Sequence, residues 1–447
     1  MLKKILSYGF VEGIAKGLNK LIFLVIPLFL NTFDYGKIGL IVSLELLIPI
    51  VSLLGLERAV LRFYGDQIKF PLFKKTVFTA TFFTHVLLIF LIGILYLTGI
   101  DTFFGLNLFP DIFLVILIVY FQGFNLISFN MLRVNEEHKK YLRSRLFSQV
   151  LKFLLVFSLI IVLNTYLGYL IGALLAVIIT SFFLKFIDKK KENEGTFHTR
   201  TFKNLFVFSW PFIFHGLAGN LLGNADKFIL EEFMTLNEVG QYTLTYSIGS
   251  MMVFAYVGVS IYMEPMIYKE KNSSRRELLL DKYLLLTISL GLVGYILLSL
   301  GSLYILPKFY NENYQKVLKF IPLIALAYLV YPYYLIANYK MIYSKKSLSI
   351  AVVSILSASI NVTLNIYLIP KFGIYGAILI TIFSYFLQAF LFIWVSNKFR
   401  FLRETKEIII LGVLIFGVIY FKMAFYIIVI PFILFLIYIY LTKIIRK

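Results

Sequence analysis

Uninterrupted apolar runs recur along the whole 447-residue sequence, and many exceed about 18 residues. That is the length a membrane-spanning helix needs, because the hydrocarbon core is about 30 Å thick and a helix rises about 1.5 Å per residue. Strands of a membrane barrel would alternate polar and apolar residues in segments of about ten. Stretches such as Val86–Leu97 and Ile112–Tyr120 are continuous, so helices are expected. Composition agrees: 60% of the residues are hydrophobic and 15% charged, against about 45–50% and about 25% in a soluble domain. The expected fold class is an all-α polytopic membrane protein with about 14 transmembrane helices.

The spans fall at roughly 9–31, 37–57, 76–98, 109–132, 146–164, 167–187, 205–230, 240–264, 283–306, 317–339, 348–369, 374–396, 407–421 and 424–442. The break at Phe421-Lys422-Met423 is slight, so twelve spans with a re-entrant tail is the alternative. With the N-terminus placed in the cytoplasm, about 31 of the 43 Lys+Arg fall on one side and about 7 on the other. The rich side holds Lys74-Lys75, Arg133 to Arg145, Lys185 to Lys203, Lys269 to Lys282, Lys345-Lys346, Lys398 to Lys406 and Arg446-Lys447. The poor side holds Lys37, Lys227, Lys308, Lys316, Lys319, Lys371 and Lys422. This positive-inside bias supports the helix count and puts both termini in the cytoplasm.

The bias also accounts for most of the net charge of +20 without a nucleic-acid partner. The absence of cysteine excludes disulfides, thiolate metal sites and cysteine nucleophiles. The four histidines are spread along the chain and do not suggest a multi-histidine metal site. Met1-Leu2-Lys3-Lys4 does not lead into a short apolar core with a small-residue cleavage site, so the first helix is expected to be retained. Every loop is short, the longest being about 188–204, so no catalytic domain is expected outside the membrane.

An internal repeat runs at an offset of 204 residues. Gly36 and Tyr64 recur as Gly240 and Tyr268, and Gly172-Ala173 recurs as Gly376-Ala377. Six spans separate the copies, so both copies have the same orientation in the membrane. Such parallel repeats are a transporter architecture with the substrate path between the halves. The expected organisation is a six-helix lobe over 1–200, a second over 201–400, and an extra helix pair over 401–447.

Ionisable residues inside apolar spans each cost about 2.5–3.5 kcal/mol at the helix centre and so need a role. Leu21–Leu30 is too short to cross alone, so the first helix must include Glu12, Lys16 and Lys20. These lie at i, i+4 and i+8 and form one stripe, expected to face a water-filled cavity. The alternative is that Lys16 and Lys20 snorkel to the headgroups. Arg58 and Arg62 form a second i, i+4 pair at the inner end of span two, either interfacial or part of the same basic lining, and Lys152 could add to it. Such cations suit a phosphate or pyrophosphate.

Among acids, Glu45 near the middle of span two is the first candidate for a protonatable or ion-binding carboxylate, with Glu12 and Asp226 as the other ion-coupling candidates. Asp226 follows Asn220 and Asn224 in a helix that also carries His215; that cluster suits either a cation or interhelical hydrogen bonds. Glu264-Pro265 is expected to end span eight. Span ten carries Tyr331 and Tyr334 around Pro332, which predicts a kink. These tyrosines are candidates for stacking on sugars, with headgroup belts as the default. No P-loop is present, no cofactor is expected, and an ion gradient or the membrane potential remains as the energy source.

The sequence resembles the polysaccharide transport branch, the Wzx-type flippases, of the multidrug/oligosaccharidyl-lipid/polysaccharide exporter superfamily. The resemblance rests on Phe33-Asp34-Tyr35-Gly36, Leu54-Gly55-Leu56-Glu57-Arg58-Ala59 with Arg62-Phe63-Tyr64, and Asn224 to Leu230 followed by Glu238-Val239-Gly240-Gln241-Tyr242. The late Gly373-Ile374-Tyr375-Gly376-Ala377 fits as well. The resemblance implies two helical lobes around a cavity of alternating access, in a bacterial or archaeal cytoplasmic membrane. It implies a polyprenyl-pyrophosphate-linked glycan as cargo, turned from the inner to the outer leaflet, with glycosyltransferases and a glycan polymerase as partners. Lys16, Lys20, Arg58 and Arg62 match the basic lining of such flippases. A multidrug antiporter of the same fold would want cavity carboxylates, and a membrane glycan polymerase or ligase would want a large outer loop.

Overall fold

The computed structural model describes residues 2–65, 68–187, 197–344 and 346–396. The helix pair expected over 401–447 lies outside the described residues. The first half contains α1 (Leu2–Val25), α2 (Thr32–Ser52), α3 (Leu56–Phe63), α4 (Phe73–Leu97), a hairpin of β1 (Thr102–Phe103) and β2 (Leu106–Asn107), α5 (Phe113–Val134), α6 (His138–Leu163) and α7 (Leu167–Ile187). The second half contains α8 (Thr199–Ser209), α9 (Pro211–Phe233), α10 (Leu236–Gly249), α11 (Val253–Lys269), α12 (Ser273–Leu300), α13 (Glu312–Leu318), α14 (Ile321–Leu329), α15 (Tyr331–Tyr343) and α16 (Ser347–Ser396).

Ten helical segments among the described residues are long and apolar enough to cross a membrane. The last of these contains two passes, because Gly373 adopts φ 54° and ψ −136°. The two arms then lie antiparallel, with Asn361 donating from Nδ2 to Ser384 Oγ at 2.9 Å. With the charged helix α1, all twelve spans expected before residue 397 are present. Lipid-type faces are visible on α4, where Phe82, Phe83, Leu87 and Phe90 are exposed.

Three local features depart from the sequence reading. The helix of span two stops at Ser52, because Leu54 and Gly55 both have positive φ. A Cβ on Gly55 would also lie 2.7 Å from the Ser209 carbonyl oxygen. Arg58 and Arg62 therefore belong to the separate amphipathic helix α3, which buries Leu56, Ala59 and Val60. Secondly, Glu264-Pro265 does not end span eight; α11 runs on to Lys269. Proline is tolerated within membrane helices where neighbours satisfy the freed backbone. Thirdly, the short β-hairpin has no helical counterpart in the expected all-α fold. The break expected around Pro332 is present, between α14 and α15 at Val330.

The repeat is legible in the packing between the halves. Asn31 caps α2 by accepting from Asp34 N at 2.8 Å. Thr235, 204 residues later, caps α10 in a capping box with Glu238. The two capped helices then cross at Gly36 and Gly240. A Cβ on Gly36 would fall on the Leu236 carbonyl oxygen, and one on Gly240 would fall on the Thr32 carbonyl oxygen. Each clash is the other moved by one repeat, as a two-fold relation between the halves requires. Further bonds close the same end. Thr32 Oγ1 donates to Asn237 Oδ1 at 2.6 Å, and Tyr310 OH donates to Leu24 O at 2.7 Å. The hairpin of the first half also lies on α9 of the second, with Phe104 4.9 Å from Phe228 between ring centroids.

Candidate functional site at the meeting of the two halves

The first of the expected stripe residues is engaged within its own half. Arg145 donates from Nε to Glu12 Oε1 at 3.0 Å, and Tyr141 OH donates to the same oxygen. Lys16 is exposed. Lys20, one turn further, crosses to the other half and donates from Nζ to Ser250 Oγ at 2.9 Å, just past the end of α10.

The second half answers with a lysine that lies near the end of expected span seven and that the charge rule counts with the outer side. Lys227 is only 5% exposed. It sits inside α9 and donates to Ser43 Oγ of α2 at 3.3 Å and to Asn224 Oδ1 at 3.1 Å. Its ammonium also stands 5.4 Å from the Tyr246 ring centroid. Each half thus sends one lysine from its opening span to a serine on, or just beyond, the second span of the other half. Among the described residues, no carboxylate lies within 4.0 Å of either ammonium, and the two interact electrostatically. Lysine held by neutral oxygens and desolvated on both sides is a ready partner for an anion.

Of the three ion-coupling candidates, Glu12 is held by Arg145 and Tyr141, and Glu45 and Asp226 are buried and already engaged. Glu45 is 6% exposed. Its Oε2 accepts from Gln122 Nε2 at 3.1 Å and from Tyr169 OH at 3.4 Å, and Lys152 Nζ lies 3.6 Å away. Lys152 is therefore the counter-ion of Glu45 inside the first half, and not an extension of the Arg58/Arg62 lining. Glu45 Oε1 is buried without a hydrogen-bond partner. Asp226 is 2% exposed and takes Tyr242 OH and the Lys227 backbone N–H, the latter at 2.9 Å. Asn224 is drawn to Lys227, so Asn224 and Asp226 do not point at one ion; His215 lies outside the described side chains.

Arg58 and Arg62 are exposed at the opposite end of the molecule from the Gly36–Gly240 crossing, and Arg58 stacks 4.6 Å from the Phe212 ring centroid. Beside them, burial holds the Glu57 carboxyl above the usual carboxylate range, against the pull of Arg58. Tyr331 and Tyr334 are half-buried inside the second half. Tyr331 stacks on Tyr256 with centroids 6.0 Å apart, and Tyr334 meets Phe392 edge-on at 4.8 Å. One face of each ring is thus occupied by protein. Behind them Tyr246, Tyr328 and Tyr385 join their hydroxyls in a closed ring at 3.0–3.2 Å.

The sequence also hid an ion pair near the closed end. Lys37, counted with the outer side at the start of expected span two, is buried in α2 and lies 3.9 Å from Asp111, which in turn accepts from Tyr166 OH at 3.1 Å. Among the described residues, no group of three or more His, Asp or Glu side chains could hold a metal ion.

A bundle of this kind, with two like halves meeting at one end, defines a multi-pass helical membrane protein. The chain belongs to the polysaccharide biosynthesis protein family, whose profile matches residues 1–262. An uncharacterised membrane protein of Methanocaldococcus jannaschii is 26% identical over 281 residues, which are 60% of this chain and 55% of that protein. The match thus spans about half the length of that relative. The fold is similar to those of solved membrane proteins. It is similar to an inward-facing multidrug resistance MATE transporter of the MOP superfamily (TM-score 0.67, 15% identity, 87% of this chain and 96% of the other). It is also similar to the lipid II flippase MurJ in its inward closed conformation (TM-score 0.64, 15% identity, 93% and 99%).

Proposed function

We propose that this protein is a flippase that carries a polyprenyl-pyrophosphate-linked oligosaccharide from the cytoplasmic to the outer leaflet by alternating access. The lobes are 1–200 and 201–400, with 401–447 standing outside them. The end closed by Gly36 and Gly240 is the outer end, following the positive-inside bias, and both termini are cytoplasmic. The single observation that carries the reading is the pair Lys20 and Lys227, two buried ammonium groups from opposite halves bonded only to neutral oxygens. A diphosphate supplies the charge they lack, and Lys16, Arg58 and Arg62 guide it from the cytoplasmic side. Glu45 and Asp226 are the coupling carboxylates. Tyr331 and Tyr334 serve the sugar through their half-buried edges.

Loss of the gene tests the reading directly. Lipid-linked glycan should accumulate in the inner leaflet, and normal surface glycan in such cells would count heavily against it. The chain is cysteine-free, so Lys16→Cys gives a clean second test. It should react with a membrane-impermeant thiol reagent applied from the cytoplasmic side, whereas inertness from both sides would favour a lipid-facing stripe.

The multidrug antiporter is the second reading, favoured by the likeness to MATE transporters. An organic cation needs an unengaged carboxylate, and the buried acids Glu45, Asp111 and Asp226 are engaged by lysine, glutamine or tyrosine. Drug efflux that survives Lys20→Gln and Lys227→Gln would support that reading over the flippase.

A further inference from the structure

The closed end is not held by apolar packing alone. From the caps of α2 and α10, the contact between the halves descends past the Gly36–Gly240 crossing and past Gly39, whose Cβ would strike Thr243. Ser43 lies 11 residues below Thr32, and Ser250 lies 14 below Leu236. At about 1.5 Å per residue this puts the two lysine–serine bonds about 16–21 Å beneath the outer end, near mid-membrane. They sit at the inner part of the seal, on the side from which a cytoplasmic cargo would arrive.

We propose that Lys20 and Lys227 form a double latch that the diphosphate of the cargo releases. Without cargo, each ammonium bonds a serine of the opposite half, Lys20 to Ser250 and Lys227 to Ser43, and so ties the halves together at the outer seal. A diphosphate offers charged oxygens in place of a single hydroxyl, and each lysine exchanges its serine for phosphate. Both ties across the seal are then lost together, and the remaining contacts, glycine against backbone and tyrosine against carbonyl, are uncharged. The anion shifts the equilibrium toward outer opening because the open state leaves both ammonium groups free for it and the closed state does not. The latch also opposes futile cycling, since an empty carrier keeps its outer end shut. A neutral lipid would not release it. The inference rests on the flippase reading, and it adds Lys227, Ser43 and Ser250 as residues of the transport cycle.

The test uses the full chain, purified in lipid nanodiscs, carrying Thr32→Cys and Asn237→Cys across the outer seal, where the native side chains are 2.6 Å apart. The rate of copper-catalysed disulfide formation reports closure, and inorganic pyrophosphate is the probe, with its binding followed by calorimetry. With native lysines, saturating pyrophosphate should slow cross-linking at least about threefold. Ser43→Ala with Ser250→Ala should slow it without any anion while pyrophosphate still binds. Lys20→Gln with Lys227→Gln should slow it and abolish both binding and the response. Arginine at both lysine positions should restore binding if the fold survives substitution. Pyrophosphate that binds while the cross-linking rate stays unchanged would overturn the latch and leave the flippase reading standing. No binding, together with no response to a polyprenyl-diphosphate glycan, would overturn both.

Discussion

The two halves each bury an acid and a lysine, and they arrange them in opposite ways. In the first half Glu45 and Lys152 face each other at 3.6 Å, with Gln122 and Tyr169 completing a neutral cluster. In the second half Asp226 and Lys227 are neighbours in sequence, yet the acid turns to Tyr242 while the lysine turns to Ser43 and Asn224. Adjacent residues on a helix point about 100° apart, so the helix itself separates these charges. The first pair is a neutralised cluster whose acid keeps one oxygen without a hydrogen-bond partner. The second leaves a cation facing the other half, bonded to Ser43 and Asn224. Counting lysines and acids in a membrane span does not distinguish these cases; geometry does.

The comparison is most easily broken at Lys152. Lys152→Ala leaves Glu45 buried and uncompensated, and should destabilise the protein by about 3–5 kcal/mol, read from thermal unfolding in detergent. Glu45→Gln with Lys152→Gln should recover most of that loss. A single mutant as stable as the native chain would show that the pair is not the neutralising unit described. Next comes Gly36→Ala, which must push α2 off the Leu236 carbonyl. The expected loss is about 1–3 kcal/mol, with faster thiol labelling at position 32 in the Thr32→Cys background. Tyr242→Phe should cost a similar or slightly smaller amount, about 1–3 kcal/mol, by removing a bond to a buried carboxylate. It should also weaken pyrophosphate binding, because Asp226 is then free to turn toward Lys227. The smallest stability effect is expected at Lys227→Gln, within about 1 kcal/mol, because loss of the tie to Ser43 is offset by removal of a buried charge. Transport should nevertheless fall sharply, and that separation of stability from transport is what sets Lys227 apart from Lys152.

Much of the fold was legible in the sequence because membrane helices are written in length and hydropathy alone. All twelve spans up to Ser396 lie close to their expected positions, and the repeat already pairs Gly36 with Gly240, the two glycines at which the halves cross in the structure. The site was less legible. Lys227 falls within span seven but near its end, where the charge rule counts lysines with the outer side and gives them no role in the site. The available signal was the repeat: Lys20 corresponds to Asn224, so Lys227 falls one turn beyond the position that already carried a cation in the first half. Arg58 and Arg62 were read onto the wrong helix because a single Gly55 does not announce two successive residues with positive φ. Pro265 was read as a stop because local propensity takes no account of neighbours that satisfy the backbone. Lys152 was read into the lining because sequence spacing along one helix says nothing about which acid another helix brings beside it.

The most direct measurement is leaflet exchange in proteoliposomes holding a fluorescent polyprenyl-diphosphate oligosaccharide. The native chain should accelerate its movement between leaflets, and Lys20→Gln with Lys227→Gln should return the rate to that of protein-free vesicles. Equal acceleration of a polyprenyl glycoside lacking the diphosphate, or full activity of the double mutant, would contradict the account.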